Sequence, residues 1–284
     1  MIVVTGASGQ LGHLVVQNLL QKLPAHEIVA AVRNPEKAKD LLALGVQVRK
    51  ADYDLPETLV QAFRGADKLL LVSSSEVGKR FIQHRAVIDA ARKAGVKLVV
   101  YTSILHADTS PLGLAAEHKQ TEDYLKASGV AYVLLRNGWY TQNYTASIPP
   151  ALQHGAFLGS AGSGRIASAT RADYALAAAA VLLKDKQPQS IYELAGDAAY
   201  TLTELVAEIS RQSGKNIVYK NLPEAEYKAA LVSAGFPEPV AGIFSESDTG
   251  AAKGGLFDDS HTLSQLIGRP TTPLSAAVAE ALKA

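Results

Sequence analysis

The chain is 284 residues long, 48% hydrophobic and 19% charged, with a formal net charge of +1 and no cysteine. That length supports one large domain or two unequal ones around a substantial core. The balanced charge argues against nucleic acid or an anionic membrane surface as the main partner, and the missing cysteine excludes a disulfide framework, a thiolate nucleophile and a Cys-ligated metal. No basic, cleavable leader precedes the first apolar run and no run approaches membrane-spanning length, so a cytoplasmic protein is expected.

The run at residues 2–5 predicts a strand. It gives way to Gly6-Ala7-Ser8-Gly9-Gln10-Leu11-Gly12, three glycines at intervals of three, and then to a helical pattern over 11–22. Strand, glycine turn and helix in that order form a phosphate-binding geometry. The first glycine turns the chain, the second lets a pyrophosphate approach the backbone, and the third lets the helix pack close to the strand. Further strands are predicted over 28–32, 46–49, 69–73, 98–102 and 132–136. Helices over 35–44, 56–63, 81–94 and 116–128 alternate with them, as βαβ units of a parallel sheet do. Gly45, Gly95 and Gly129 follow three of these helices as left-handed caps.

After residue 136 the rhythm changes. Residues 137–165 carry glycines, prolines and aromatics without a long periodic pattern. Thr170-Arg171-Ala172-Asp173 reads as a capping box opening an alanine-rich helix to about 183, and a strand follows at 191–195. Thr201-Leu202-Thr203-Glu204 opens a second helix, ending near Gly214. A strand at 217–219 and helices near 224–234, 239–245, 259–267 and 274–282 complete the chain. The predicted fold class is α/β, a Rossmann-like doubly wound parallel sheet with a smaller C-terminal α/β domain. Residues 1–136, with a later contribution from about 160–184, would bind NADP; 137–284 would form a substrate-binding region over the carboxyl edge of the sheet.

The end of the second strand discriminates between nicotinamide dinucleotides. It reads Val32-Arg33-Asn34, with no carboxylate to accept from a ribose 2′-hydroxyl. Arg33 can fork a 2′-phosphate instead, so NADPH is expected. Asp52-Tyr53 after the third strand either contacts the adenine or starts the next helix. Ser73-Ser74-Ser75 after the fourth is small enough for a dinucleotide to lie close.

Together with Leu135-Arg136-Asn137-Gly138-Trp139-Tyr140 after the sixth strand, these motifs resemble the NmrA-like group of atypical short-chain dehydrogenase/reductases. Within that group, Ser73-Ser74-Ser75-Glu76-Val77-Gly78, the segment His106 to Gly113 and Lys253-Gly254-Gly255-Leu256-Phe257-Asp258-Asp259 look like the bacterial type 2 NAD(P)H:quinone oxidoreductases. The resemblance implies two-electron reduction of quinones by NADPH. It also implies cofactor contacts at Gly6, Ala7, Ser8, Gly9, Gln10, Leu11, Arg33, Ser73, Ser74, Ser75, Asn137, Gly138, Trp139 and Tyr140.

Ordinary short-chain dehydrogenases use Tyr-x-x-x-Lys as proton donor, and no such motif occurs here. Leu114 and His118 stand at its two positions, and Ser103 has no tyrosine to work with. Hydride addition to an unactivated ketone needs a positioned acid, whereas a reduced quinone is a phenolate-type anion of pKa about 10 by analogy with tyrosine. Direct hydride transfer without an obligate catalytic residue follows. The acceptor is expected against Tyr140, Asn143 and Ser168, beside Trp139 and Tyr144, which either sandwich a ring or pack between domains. His118 reads as a helix-surface histidine or a proton relay. No metal-ligand spacing and no Gly-x-Ser-x-Gly elbow is found. A small-molecule quinone is the expected partner of a monomer or homodimer. Two rival readings remain: an NADP-binding, redox-sensing NmrA-like regulator without turnover, and a reductase of triphenylmethane or azo dyes.

Overall fold

The computed structural model describes residues 1–283. In chain order its elements begin β1 (Ile2–Thr5), α1 (Gln10–Leu20), β2 (Ile28–Val32), α2 (Lys39–Ala43), β3 (Gln47–Lys50), α3 (Pro56–Ala62), β4 (Lys68–Leu71), α4 (Arg80–Lys93), β5 (Leu98–Ile104), α5 (Ala115–Ala127) and β6 (Ala131–Asn137). There follow α6 (Thr141–Thr145), α7 (Ile148–His154), β7 (Ala156–Gly159), α8 (Arg171–Leu183), β8 (Ile191–Leu194), α9 (Leu202–Ser213), β9 (Val218–Asn221), α10 (Glu224–Ser233), α11 (Glu238–Ala252), α12 (Thr262–Ile267) and α13 (Leu274–Ala281). Two compact units result. The first comprises Met1–Ala107, Ala116–Asn137 and Arg171–Tyr192; the second comprises Asp108–Ala115, Gly138–Thr170 and the chain from Glu193 onward.

The first unit is built on a seven-stranded sheet in the order β3-β2-β1-β4-β5-β6-β8, and the pairs from β3 through to β6 are parallel. The chain reverses its direction of winding between β1 and β4, the switch point at which open α/β sheets bind ligands beyond the carboxyl ends of their strands. β1 and β2 are buried along their whole length, as expected of strands covered on both faces. The core on one face joins Val3, Val29, Leu69, Leu71, Val99 and Leu134 to Leu59 of α3, to Phe63 at its end and to Val87, Ile88 and Ala91 of α4. Each Val, Leu, Ile or Phe side chain so withdrawn from water contributes about 1.5–3 kcal/mol. α1 buries Leu11, Val15, Val16 and Leu19 and packs on α8, where Ala175, Ala178 and Ala179 permit a close approach. Lys68 Nζ donates to the carbonyls of Leu182 and Lys184, both at 2.8 Å, neutralising the negative end of α8.

The second unit carries a parallel pair, β7 with β9. Its elements depart most from the sequence expectation. β7 lies within a stretch where no element was predicted; four residues have no periodicity of their own, and pairing with the distant β9 makes them a strand. α11 runs well beyond its expected end at 245. Its last turns contain Gly250, where a Cβ would stand 3.1 Å from two atoms of Leu112, so small residues that weaken helix propensity are what the packing requires. The box at α9 forms as expected: Thr201 Oγ1 accepts from Glu204 N at 3.2 Å and Thr201 N donates to Glu204 Oε2 at 2.6 Å. Among the described residues, no helix is long and apolar enough to cross a membrane.

Candidate active site

The glycine turn leaves β1 with Gly6 at φ +59°, in the left-handed region. Gly9 N donates back to Gly6 O at 2.9 Å, closing the turn. A Cβ on Gly12 would stand 2.5 Å from Gly6 O and 2.9 Å from Ala7 Cα, so only glycine lets α1 begin against the turn. Gly9 caps α1 without any side chain, leaving the first-turn amides and the positive helix end for an anion.

Beyond this turn the first unit contains a cleft of about 300 Å³ at the β1–β4 switch point. Gly6, Ser8 and Gly9 form one wall; Val72, Ser73, Ser74, Ser75 and Glu76 form the other; Arg33 and Ala51 to Tyr53 also line it. Of the expected contacts on the turn, Ala7 and Leu11 are buried in the core and Gln10 is exposed on the helix. Tyr53 is a fixed part of the lining: its hydroxyl donates to Val72 O at 2.9 Å and shares a 2.5 Å hydrogen bond with Thr5 Oγ1. Burial pushes its phenol well above the usual range.

The serine loop is held by side chains from behind. Ser73 N donates to Thr102 Oγ1 at 2.8 Å, and Ser74 N donates to His84 Nε2 at 2.8 Å. His84 is therefore a neutral imidazole protonated at Nδ1, which faces Thr121 Oγ1 at 3.0 Å. Thr121 in turn donates to Glu117 O at 2.8 Å. Burial and the neighbouring Arg80 guanidinium drive the His84 pKa down to about 3. Arg80 Nε donates to Ser74 O at 2.7 Å, and its Nη1 meets Glu117 Oε2 at 3.3 Å. Ser74 Oγ donates to Gln83, which reaches on to Asp54 at 3.0 Å.

At the rim, Arg33 Nη1 lies 3.2 Å from Glu76 Oε1. The guanidinium is 70% exposed and the carboxylate 37% exposed.

The helix-surface expectation for His118 fails. The residue is 6% exposed, and its Nδ1 is 2.6 Å from Tyr101 Oη. Burial first, then Arg80 and His84, hold its pKa well below the usual histidine range, so it is neutral. The helix α5 turns this face inward because Thr121, Glu122 and Leu125 share it and are likewise buried. Ser103 also has a partner other than a tyrosine: it donates to Glu122 Oε1 at 2.6 Å, and Arg136 holds both Glu122 oxygens, at 2.9 and 2.6 Å.

Asn137, the last residue of β6, is 5% exposed and its Oδ1 has no hydrogen-bond partner. In the second unit, Gly138, Tyr140 and Asn143 are half-buried. Trp139 stands edge-on to Phe244 at 6.3 Å between centroids. Ser168 is buried, with its hydroxyl 2.8 Å from Thr141 Oγ1 and 2.6 Å from Tyr200 Oη. Tyr144 donates to Asp248 at 2.9 Å. Two motifs singled out in the sequence meet here: a Cβ on Gly255 would stand 2.5 Å from Leu112 Cδ1 and 2.7 Å from Pro111 Cγ.

Glu76, Gln83 and His84 were not among the sequence candidates, yet Glu76 and Gln83 line the cleft and His84 anchors its serine wall. A signal was there. Arg80, Gln83, His84, Val87, Ile88 and Ala91 recur at helical spacing and are all buried, so three polar residues occupy the apolar stripe of α4. Buried polar groups at such positions must have fixed partners.

These features fit a dinucleotide: a cradle that a Cβ would fill, an uncapped helix start, a cation at the rim and a buried acceptor without a partner at the end of β6. The NmrA-like family model matches residues 1–274. The chain is 59% identical to quinone oxidoreductase 2 of Escherichia coli over 98% of this chain and 97% of that protein. The NADPH-dependent quinone oxidoreductase of the same organism, solved in complex with NADPH, superposes with a TM-score of 0.97, covering 99% of this chain and 100% of that one. The triphenylmethane reductase of Citrobacter sp., complexed with NADP(H), is 41% identical with a TM-score of 0.95, covering 99% and 100%. The chain belongs to the NmrA-like family.

Proposed function

We propose that this protein is an NADPH-dependent quinone oxidoreductase that works without an enzymic acid. The observation that carries the reading is the cleft at the switch point, with an uncapped helix start on one side and Arg33 at its rim. Similarity along nearly the whole chain to an NADPH-dependent quinone oxidoreductase supports it. NADPH bound there supplies a hydride, the two-electron equivalent that quinone reduction consumes.

The chain's own residues bind and orient. Gly6, Gly9 and the amides after Gly9 take the pyrophosphate, with Ala7 and Leu11 fixing the turn from the core and Ser8 and Gln10 flanking it. Arg33 takes the 2′-phosphate. Ser73, Ser74 and Ser75 form the opposite wall. Asn137 Oδ1 accepts from the nicotinamide carboxamide, and Gly138, Trp139 and Tyr140 continue that contact. Tyr140, Asn143 and Ser168 hold the acceptor. We assign cofactor binding to 1–136 with a later contribution from about 160–184, and acceptor binding to 137–284.

No side chain is required as a proton donor. Leu114 and His118 occupy the positions of the usual tyrosine and lysine, and His118 is a buried neutral imidazole. A hydroquinone anion with a pKa of about 10 takes its proton from water. We place the protein in the cytoplasm, as a monomer or homodimer without a nucleic-acid partner.

Steady-state oxidation of NADPH by a panel of benzoquinones and naphthoquinones tests the reading. Turnover with a primary isotope effect on deuterating the transferred position of NADPH is the expected result. Absence of NADPH oxidation with every quinone would overturn it.

A further inference from the structure

We propose that Glu76 sets how strongly this protein prefers a 2′-phosphorylated dinucleotide, by holding Arg33 as an internal anion that the phosphate has to displace. This rests on the assignment of Arg33 to the 2′-phosphate. Arg33 Nη1 and Glu76 Oε1 are 3.2 Å apart at the rim of the cleft, and both residues line it. The guanidinium that should fork a phosphate therefore already has a carboxylate on it.

The placement of Glu76 is built rather than incidental. Its backbone N–H donates to Ser74 Oγ at 3.1 Å. Ser74 is in turn fixed at three points: its Oγ to Gln83, its N–H to His84 and its carbonyl to Arg80. Gln83, His84 and Arg80 are all buried on α4. Immediately beyond, Gly78 N donates to Glu117 Oε1 at 3.1 Å, so the loop is pinned on both sides of Glu76. The second carboxylate oxygen lies 3.9 Å from Lys79 Nζ, and the carboxylate thus stands between two cations.

The electrostatics follow from exposure. Solvent-exposed ion pairs are weak, so a dianionic phosphate can take Arg33 from Glu76. The displaced carboxylate stays on a braced loop beside the new anion, and like charges at that range oppose binding. A dinucleotide with a free 2′-hydroxyl brings no such charge and can donate to the same carboxylate, as acidic residues at ribose sites accept from it. One residue therefore weakens NADPH and tolerates NADH, narrowing the preference that Arg33 creates.

The test is calorimetric measurement of Kd for NADPH and NADH on the wild-type protein, Glu76→Gln, Arg33→Ala and the double variant. Glu76→Gln is expected to tighten NADPH about 3- to 10-fold without tightening NADH. The gain is expected to shrink in the Arg33→Ala background and in high salt. A Glu76→Gln protein whose NADPH-to-NADH ratio stays within about twofold of wild type overturns the proposal, as does a gain undiminished by Arg33→Ala. Failure of the wild-type protein to bind either nucleotide would instead overturn the cofactor assignment itself.

Discussion

The two walls of the cleft are held in opposite ways. The glycine turn is shaped by what is missing: no Cβ at Gly12, where one would stand 2.5 Å from Gly6 O, and no side-chain cap on α1. The Ser73–Glu76 wall is shaped by what stands behind it, a buried set of Arg80, Gln83, His84, Thr102 and Thr121. The first is a local backbone solution and leaves a spaced motif. The second borrows side chains from α4, β5 and α5 and leaves no contiguous signature. Substitutions should expose this difference, because one wall fails by steric overlap and the other by unmet hydrogen bonds.

Gly12→Ala attacks the first wall, and the largest effect is expected there. The new methyl meets backbone, which cannot step aside as a flexible side chain would. A loss of about 3 kcal/mol in urea unfolding is expected, with NADPH affinity down at least about tenfold. Retained stability and affinity would show that the turn relaxes freely.

His84→Gln attacks the second wall and adds a pH signature. The folded pKa of about 3 lies below the ordinary value of 6.5, so the native protein refuses a proton that the unfolded chain accepts. Above pH 6.5 this has no effect. Between pH 6.5 and 3 it lowers stability by about 1.4 kcal/mol per pH unit. Unfolding free energies at several pH values should therefore fall less steeply in the variant, with the neighbouring His118 retaining its own share of the slope. At pH 7.5 the variant should lose about 1–3 kcal/mol, because Ser74 N–H and Thr121 lose their partner. Parallel pH profiles for the two proteins would contradict the neutral-imidazole assignment.

Gly78→Ala should do least. Gly78 has φ +86°, but a Cβ there would meet nothing within 4 Å. About 1 kcal/mol of left-handed strain, with NADPH affinity within about twofold, is expected from the same measurements. A larger affinity loss would mean that backbone strain at residue 78 reaches the serine wall despite the buried network behind it.

The same contrast governs what could be read from the chain alone. β1 and β2 match their predicted limits because an apolar run bounded by breaker residues is a local signal. The glycine turn is an equally local signal, and Arg33 follows directly on β2 at the cleft rim. β7 has no such signal, since its strand character comes from β9, and α11 continues past its expected end although Gly250, which suits contact with Leu112, weakens helix propensity. Burial of His118 is not legible, because a lone histidine gives no indication of its partner Tyr101, distant in sequence. Gln83 and His84 carry no local mark of their role, because Gln83 meets Ser74 and Asp54, and His84 meets Ser74 and Thr121, only once α4 has packed on the sheet. The pairing of Glu76 with Arg33 is invisible in the sequence, because it spans β2 to the loop after β4 and exists only once the sheet has formed.

Trp139 is the single tryptophan of the chain, 9% exposed, with no protein partner for its indole N–H and its ring at 85° to that of Phe244. A largely buried indole emits at shorter wavelength than one in water, and its emission moves to the red on exposure. The protein therefore carries a native optical reporter in its second unit, which bound nucleotide would also perturb. Loosening of that unit's interior can be followed by its intrinsic emission without attaching a dye, and without interference from another indole in the first unit.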